Sequence, residues 1–243
     1  MTVSAVYVDA WAAVTLDAKD GTPQRFGACL DDSVIPAAHR RRLGTFGRMA
    51  VSCGLSIAAT DSSDLVFCSR YGDVDLAHKL VTEVVAGGLL SPAAFSLSVH
   101  NAVPGVMDLV RGSRAGHTAI AAGSQSLSAG LAEAWAKLVE RPDDKIAFVY
   151  ADCALPAIYQ QFSEMKLGGT AVALTLSARK PVSTFGRFIL ERASPANMLD
   201  DPGSEELAGL LMQILGSVAG DASIRWRSRG LHWLFAAGAD ATD

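Results

Sequence analysis

Apolar and polar positions along this chain follow two periods, and the points where one gives way to the other mark out its elements. Val3 to Val14 reads as a strand, and the polar run Leu16 to Asp32, opening LDAKDGTPQRFG, reads as a loop rich in turn residues. Phe46, Met49, Ala50, Cys53 and Ile57 recur at helical spacing. Leu65 to Cys68 is a short apolar strand ending in SRYGD. Asp75 to Ala86 then carries Leu76, Leu80 and Val84 on one stripe before Gly87-Gly88 stops it.

The stretch Ser91 to Glu140 is the most informative. Phe95, Leu97 and Val99 alternate with Ser96, Ser98 and His100, the period of a strand packed on one face. Pro104-Gly105 predicts a turn, and Val106, Leu109 and Val110 begin a short helix that Gly112 to Gly116 breaks. Thr118 to Ala122 predicts a short buried strand. It leads into a helix over Ser124 to Val139, with Leu127, Leu131, Trp135 and Leu138 on one face. Ser124 thus stands at a strand-to-helix turn behind Ala122-Gly123. Two roles fit it: an N-cap, or a nucleophile beside the free N–H groups of a helix start.

Downstream, Lys145 to Tyr150 and Gly169 to Ser177 are apolar strands flanking a helical or irregular Leu155 to Met165. Arg187 to Glu191 adds a strand, and SPANMLDDPG a loop. Leu207, Leu210, Leu211, Ile214 and Val218 make an amphipathic helix, and Ser223 to Phe235 a strand pair around Arg229-Gly230. Strands alternating with helices predict an α/β protein, a mixed sheet with helices on its faces.

Composition narrows the classes. Half the residues are hydrophobic and 19% are charged, which excludes a disordered chain, and a net charge of −4 argues against a nucleic-acid partner. Against that balance stands one basic knot, His39-Arg40-Arg41-Arg42, readable as a solvated helix approach or as a contact for an acidic partner. Cys29, Cys53, Cys68 and Cys153 are scattered, with no CxxC pair and no metal spacing, so they read as reduced thiols. MTVSAVYVDAW is no signal peptide, and no run reaches the roughly 18 apolar residues of a spanning helix. A cytoplasmic protein without a membrane span is expected. No P-loop or GxGxxG is present, Gly168-Gly169 precedes a strand, and neither cofactor nor metal is expected. Asp152, at the carboxyl end of a strand, reads as a loop cap.

SPAAFSLSVHNAVPG followed by TAIAAGSQSLSAGLAEAW resembles the middle of a β-ketoacyl synthase of the thiolase fold. More narrowly, it is similar to short, amino-terminal-half ketosynthase-like proteins that accompany aryl polyene and xanthomonadin-type pigment biosynthesis. The likeness runs over about 37–178, is strongest from Ser91 to Trp135, and leaves 180–243 a divergent carboxyl-terminal part of a single ketosynthase-like domain, 1–243. In that family an Asn and a Gly precede the nucleophilic Cys. Aligning them with Asn101 and Gly105 puts Ser124 at the Cys position.

The resemblance implies half of a thiolase-like fold, its second half truncated or degenerate. It further implies a non-catalytic, chain-length-factor-like subunit, paired as a heterodimer with an active ketosynthase and serving the acyl carrier protein indirectly in fatty acid or polyketide-type chain assembly. The strand Phe95, Leu97, Val99 and His100 would lie at the subunit interface. Asn101, Gly105 and Met107 would help close an acyl tunnel. None of the five histidines sits in a segment like the family's catalytic ones, which leaves Ser124 without an evident base. Two other readings stay open: a stand-alone serine hydrolase or acyltransferase using Ser124 with His117 or His232, although AGSQS lacks the outer glycines of a nucleophile elbow, and a binding module unrelated to chain assembly.

Overall fold

The computed structural model describes residues 3–57, 63–191, 198–217 and 222–238. In chain order the elements are β1 (Val6–Leu16), β2 (Pro23–Gly27), α1 (Ala37–Arg40), α2 (Thr45–Ser56), β3 (Asp64–Cys68), α3 (Val74–Val85), α4 (Pro92–Ser98), α5 (Ala102–Arg111), β4 (His117–Ile120), α6 (Ser126–Glu140), β5 (Lys145–Cys153), β6 (Gly169–Ser177), β7 (Gly186–Glu191), β8 (Leu199–Asp200), α7 (Ser204–Leu215), β9 (Ser223–Ser228) and β10 (Leu231–Ala237). They build one mixed sheet in the order β4-β3-β5-β6-β1-β7-β10-β9-β8, with β2 paired to the far end of β1. β3, β4 and β5 run parallel, as their helical crossovers require, and β6 is antiparallel to both β5 and β1.

Both faces of the sheet are covered, which is why β5 and β6 read as unbroken apolar runs. α6 and α7 lie on one face, where Leu127, Leu131, Leu138, Leu207 and Leu211 meet Val66, Phe148 and Leu174. α2 and α5 lie on the other, with Phe46, Met49, Cys53, Val106 and Met107 against Phe67, Val149 and Ala173. A bulge at Asp9 sets the register of β1. The Asp9 carboxylate accepts from Ser177 Oγ at 2.7 Å and pairs with Lys145 Nζ at 2.7 Å.

The chain after β6 extends the same sheet. Trp226 and Trp233 stack at 5.8 Å, Trp135 of α6 meets Trp233 edge-on at 5.9 Å, and Trp226 Nε1 donates to Ser128 Oγ at 3.2 Å. The carboxyl-terminal strands are thereby bolted to α6. Val218 and residues 194–197 of the expected loop lie outside the described residues.

Four expectations are corrected. Phe95 to His100 is no strand: Pro92–Ser98 is helical, because Ser91 Oγ caps it from Ala94 N–H at 3.4 Å and Pro92 occupies its first turn. Start signals outweighed a short alternation, and Ser96 and Ser98 turn their hydroxyls back onto Ala93 and Phe95 carbonyls. Pro104-Gly105 makes no turn but sits in the first turn of α5, where a missing N–H costs nothing. β4 is a half-exposed edge strand and not a buried one. The helix expected from Ser124 starts at Ser126, so Ser124 is not its N-cap.

Candidate functional site

The carboxyl ends of the parallel strands β3 and β5 converge on a cavity of about 730 Å³, lined among others by Arg70, Tyr71, Ser124, Tyr150, Asp152 and Glu205. Such crevices are where sheets of this kind place ligands. At its floor, Asp152 accepts from Ser69 Oγ at 2.8 Å, Arg70 N–H at 2.9 Å and Tyr71 N–H at 3.3 Å, so it caps the loop after β3. Burial pushes its carboxyl above the ordinary value against the pull of those bonds. The neighbouring Tyr150 phenol is held well above its ordinary value, first by burial and then by the Asp152 charge. Around the mouth, Glu164 pairs with Arg70 at 2.7 Å, and Glu205 accepts from the Lys166 and Leu167 N–H groups at 3.1 and 3.2 Å.

Ser124 lies at the edge of this cavity, half-buried, and its Oγ makes no hydrogen bond among the described residues. What surrounds it is occupied by other partners. Ser204, the first residue of α7, donates its hydroxyl to the Ser124 carbonyl at 2.8 Å and its N–H to the same oxygen at 2.7 Å, while its Oγ accepts from Leu127 N–H at 3.0 Å. Gln125 and Ser126 N–H turn back to the Ala122 and Gly123 carbonyls at 3.3 Å. Three consecutive N–H groups after Ser124 are therefore already taken. A helix start of this kind has little left with which to polarise an acyl oxygen.

No histidine lines the cavity. His117 opens β4 and gives its Nδ1 to Asp108 Oδ2 at 2.7 Å. His232 lies on β10, across from Glu191 and Arg227, at the opposite end of the sheet. His100 Nε2 is 3.0 Å from the Ser69 carbonyl, with its ring on Phe67, so it props the loop that Asp152 caps. The structure thus brings Asp152 and His100 to one loop and keeps His117 and His232 away from Ser124.

The residues expected at an interface or tunnel divide. Phe95 and Val99 are 59% and 47% exposed, and Asn101 is exposed at the start of α5 without a side-chain cap bond. Leu97 is half-buried against the α2 side of the core, and Gly105 lies beside His117. Met107 is buried under Gly54 of α2, so its side chain points into the core and not toward a surface. Beside Phe95 and Val99 the outer face of α3 and α5 exposes Val81, Val84, Val85 and Leu109, and next to them one edge of β4 is unpaired among the described residues.

Ser204, Tyr150 and Glu205 were not anticipated. G-S-E-E reads as a helix capping its own start. Nothing local says that the serine caps another helix 77 residues away in sequence.

A model of the β-ketoacyl synthase N-terminal domain matches residues 9–235. Among solved structures, the chain is similar to one from the ketosynthase (ApeO) in complex with its chain length factor (ApeC) from Xenorhabdus doucetiae, at 20% identity and a TM-score of 0.70 over 96% of this chain and 99% of that one. A chain of the ishigamide ketosynthase/chain length factor matches at 10% identity and 0.64, over 97% and 99%. A β-ketoacyl synthase from Burkholderia phymatum matches at 11% identity and 0.54, over 81% of this chain and 67% of that one. No curated protein matches. Among the described residues no helix is long and apolar enough to cross a membrane.

Proposed function

This chain belongs to the β-ketoacyl synthase family, as a match to its N-terminal domain, and we propose that it acts there as a non-catalytic, chain-length-factor-like partner of an active β-ketoacyl synthase. One observation carries the reading: the helix start that follows Ser124 is filled by Ser204 from the chain's own carboxyl-terminal part. Condensation needs an activated nucleophile, an oxyanion hole and a base; no histidine lines the cavity beside Ser124, and the three N–H groups that follow it are already bonded, which supports a non-catalytic role. The likeness to chains of two ketosynthase/chain-length-factor complexes supports it too.

Pairing would use the open edge of β4 together with the apolar face of α3, α4 and α5, where Phe95, Val99 and Leu109 stand out. An unpaired strand edge beside exposed apolar side chains is a surface that wants a partner. The acyl carrier protein would then reach the pair through the active subunit, in a polyene or other polyketide-type assembly in the cytoplasm. The test is condensing activity of the co-expressed pair. Ser124→Ala in this chain should leave the rate within about twofold, whereas loss of the partner's nucleophilic cysteine abolishes it. A Ser124→Ala pair that is inactive, or activity of this chain without its partner, would overturn the reading and restore a serine enzyme.

A further inference from the structure

The strongest signal outside the cavity and the pairing face is a pair of cysteines that the sequence separates and the fold joins. β2 brings Gly27 opposite Ala12 of β1, and Ala28 N–H bonds to the Trp11 carbonyl at 3.0 Å. Leu30 N–H then bonds to Ser56 Oγ of α2 at 2.9 Å, which seats Cys29 against that helix. One turn before Ser56, Cys53 sits fully buried, its Sγ 3.3 Å from the carbonyl of Ala12, the residue after Trp11. Cys29 packs on the core cluster that contains Cys53 and is itself half-buried, open to a small solute.

We propose that Cys29 and Cys53 form a reversible dithiol–disulfide pair, Cys29 being the thiol that a hydroperoxide oxidises and Cys53 the thiol that resolves it. The Cys29 sulfur attacks the peroxide O–O bond, and hydroxide leaves and takes up a proton as water. Cys29 is then a sulfenic acid. The Cys53 sulfur attacks that sulfur, gives up its proton, and a second water leaves, so two thiols and one peroxide become one disulfide and two waters. The neighbours favour this order. The Cys53 thiol beside it, helped by the Arg25 charge, holds the Cys29 thiol below its ordinary value against burial, while burial pushes Cys53 up. Cys153, equally half-buried, is pushed up to about 12 by burial and serves as an internal control.

The test uses the full chain treated with hydrogen peroxide, alkylated, digested without reductant and read by mass spectrometry. The expected result is a linked peptide holding Cys29 and Cys53, lighter by two hydrogens and split by reductant, with Cys29 reacting at least about tenfold faster than Cys153. In Cys53→Ser, oxidation should stop at a Cys29 sulfenic acid that dimedone traps. Wild-type protein in which Cys29 advances to the sulfinic acid unlinked, or in which Cys153 is oxidised as fast as Cys29, would overturn the proposal. The wild-type measurement decides even if the variant fails to fold.

Discussion

Replacing Ser204 by alanine removes one hydroxyl and with it two hydrogen bonds that hold α7 to the start of α6. The bond from Leu127 N–H is a helix cap supplied from a distance, and losing such a cap costs about 1 kcal/mol. The bond to the Ser124 carbonyl is partly buried, and losing it adds about 1 kcal/mol. The sum of about 2 kcal/mol should lower the melting temperature by about 4–8 °C for a chain of this length. Urea unfolding followed by circular dichroism measures it, with Ser124→Ala as the paired control. That control deletes a hydroxyl that bonds nothing among the described residues and should stay within about 0.5 kcal/mol of wild type. If both variants lose equal stability, or if Ser124→Ala is the worse, the assignment of the helix start to Ser204 fails, and with it the argument that Ser124 stands idle.

Other perturbations probe the parts this depends on. A methyl group at Gly130 would meet Cys68 Sγ at 2.7 Å and Phe148 at 2.9 Å, so Gly130→Ala should force α6 off the sheet at a cost of about 1–3 kcal/mol, read by the same unfolding curve. Asp152 has a folded-state value above its unfolded 3.8, so the native state holds the proton more tightly and its contribution to stability falls as pH rises through the window just above 3.8. The gap between wild type and Asp152→Asn should therefore narrow from pH 3 toward pH 7, and a widening gap would reverse the sign. Leu109, 71% exposed on α5, should tolerate Leu109→Glu with stability unchanged within about 0.5 kcal/mol, yet the substitution should weaken co-purification with a ketosynthase.

Where the sequence could be read, buried strands and stop signals did the work. β3, β5, β6 and α2 follow directly from apolar runs and helical spacing, and Gly87-Gly88 ends α3 within a residue or two of expectation. The alternation of Phe95, Leu97 and Val99 misled because a seven-residue helix on a protein surface can satisfy it as well, and only the Ser91-Pro92 start distinguished the two. At the site, the turn at Ser124 and the place of Asp152 at the end of a strand were legible, but the loop that Asp152 caps, 81–83 residues away, was not. The bond from Ser204 was not, because it joins residues 77 apart and a serine at a helix start carries the same signature whichever helix it serves. The seating of Cys29 against α2 was hidden for the same reason: it comes from the β2 hairpin and the bond from Leu30 N–H to Ser56 Oγ, within the polar run Leu16 to Asp32 that reads as loop.

If this chain completes another protein, the mass of the purified pair will show it. Co-expression with an active β-ketoacyl synthase, followed by size-exclusion chromatography with light scattering, should give a one-to-one complex that Leu109→Glu dissociates while each subunit stays folded. A stable monomer that ignores the ketosynthase, with the variant behaving no differently, would contradict the account.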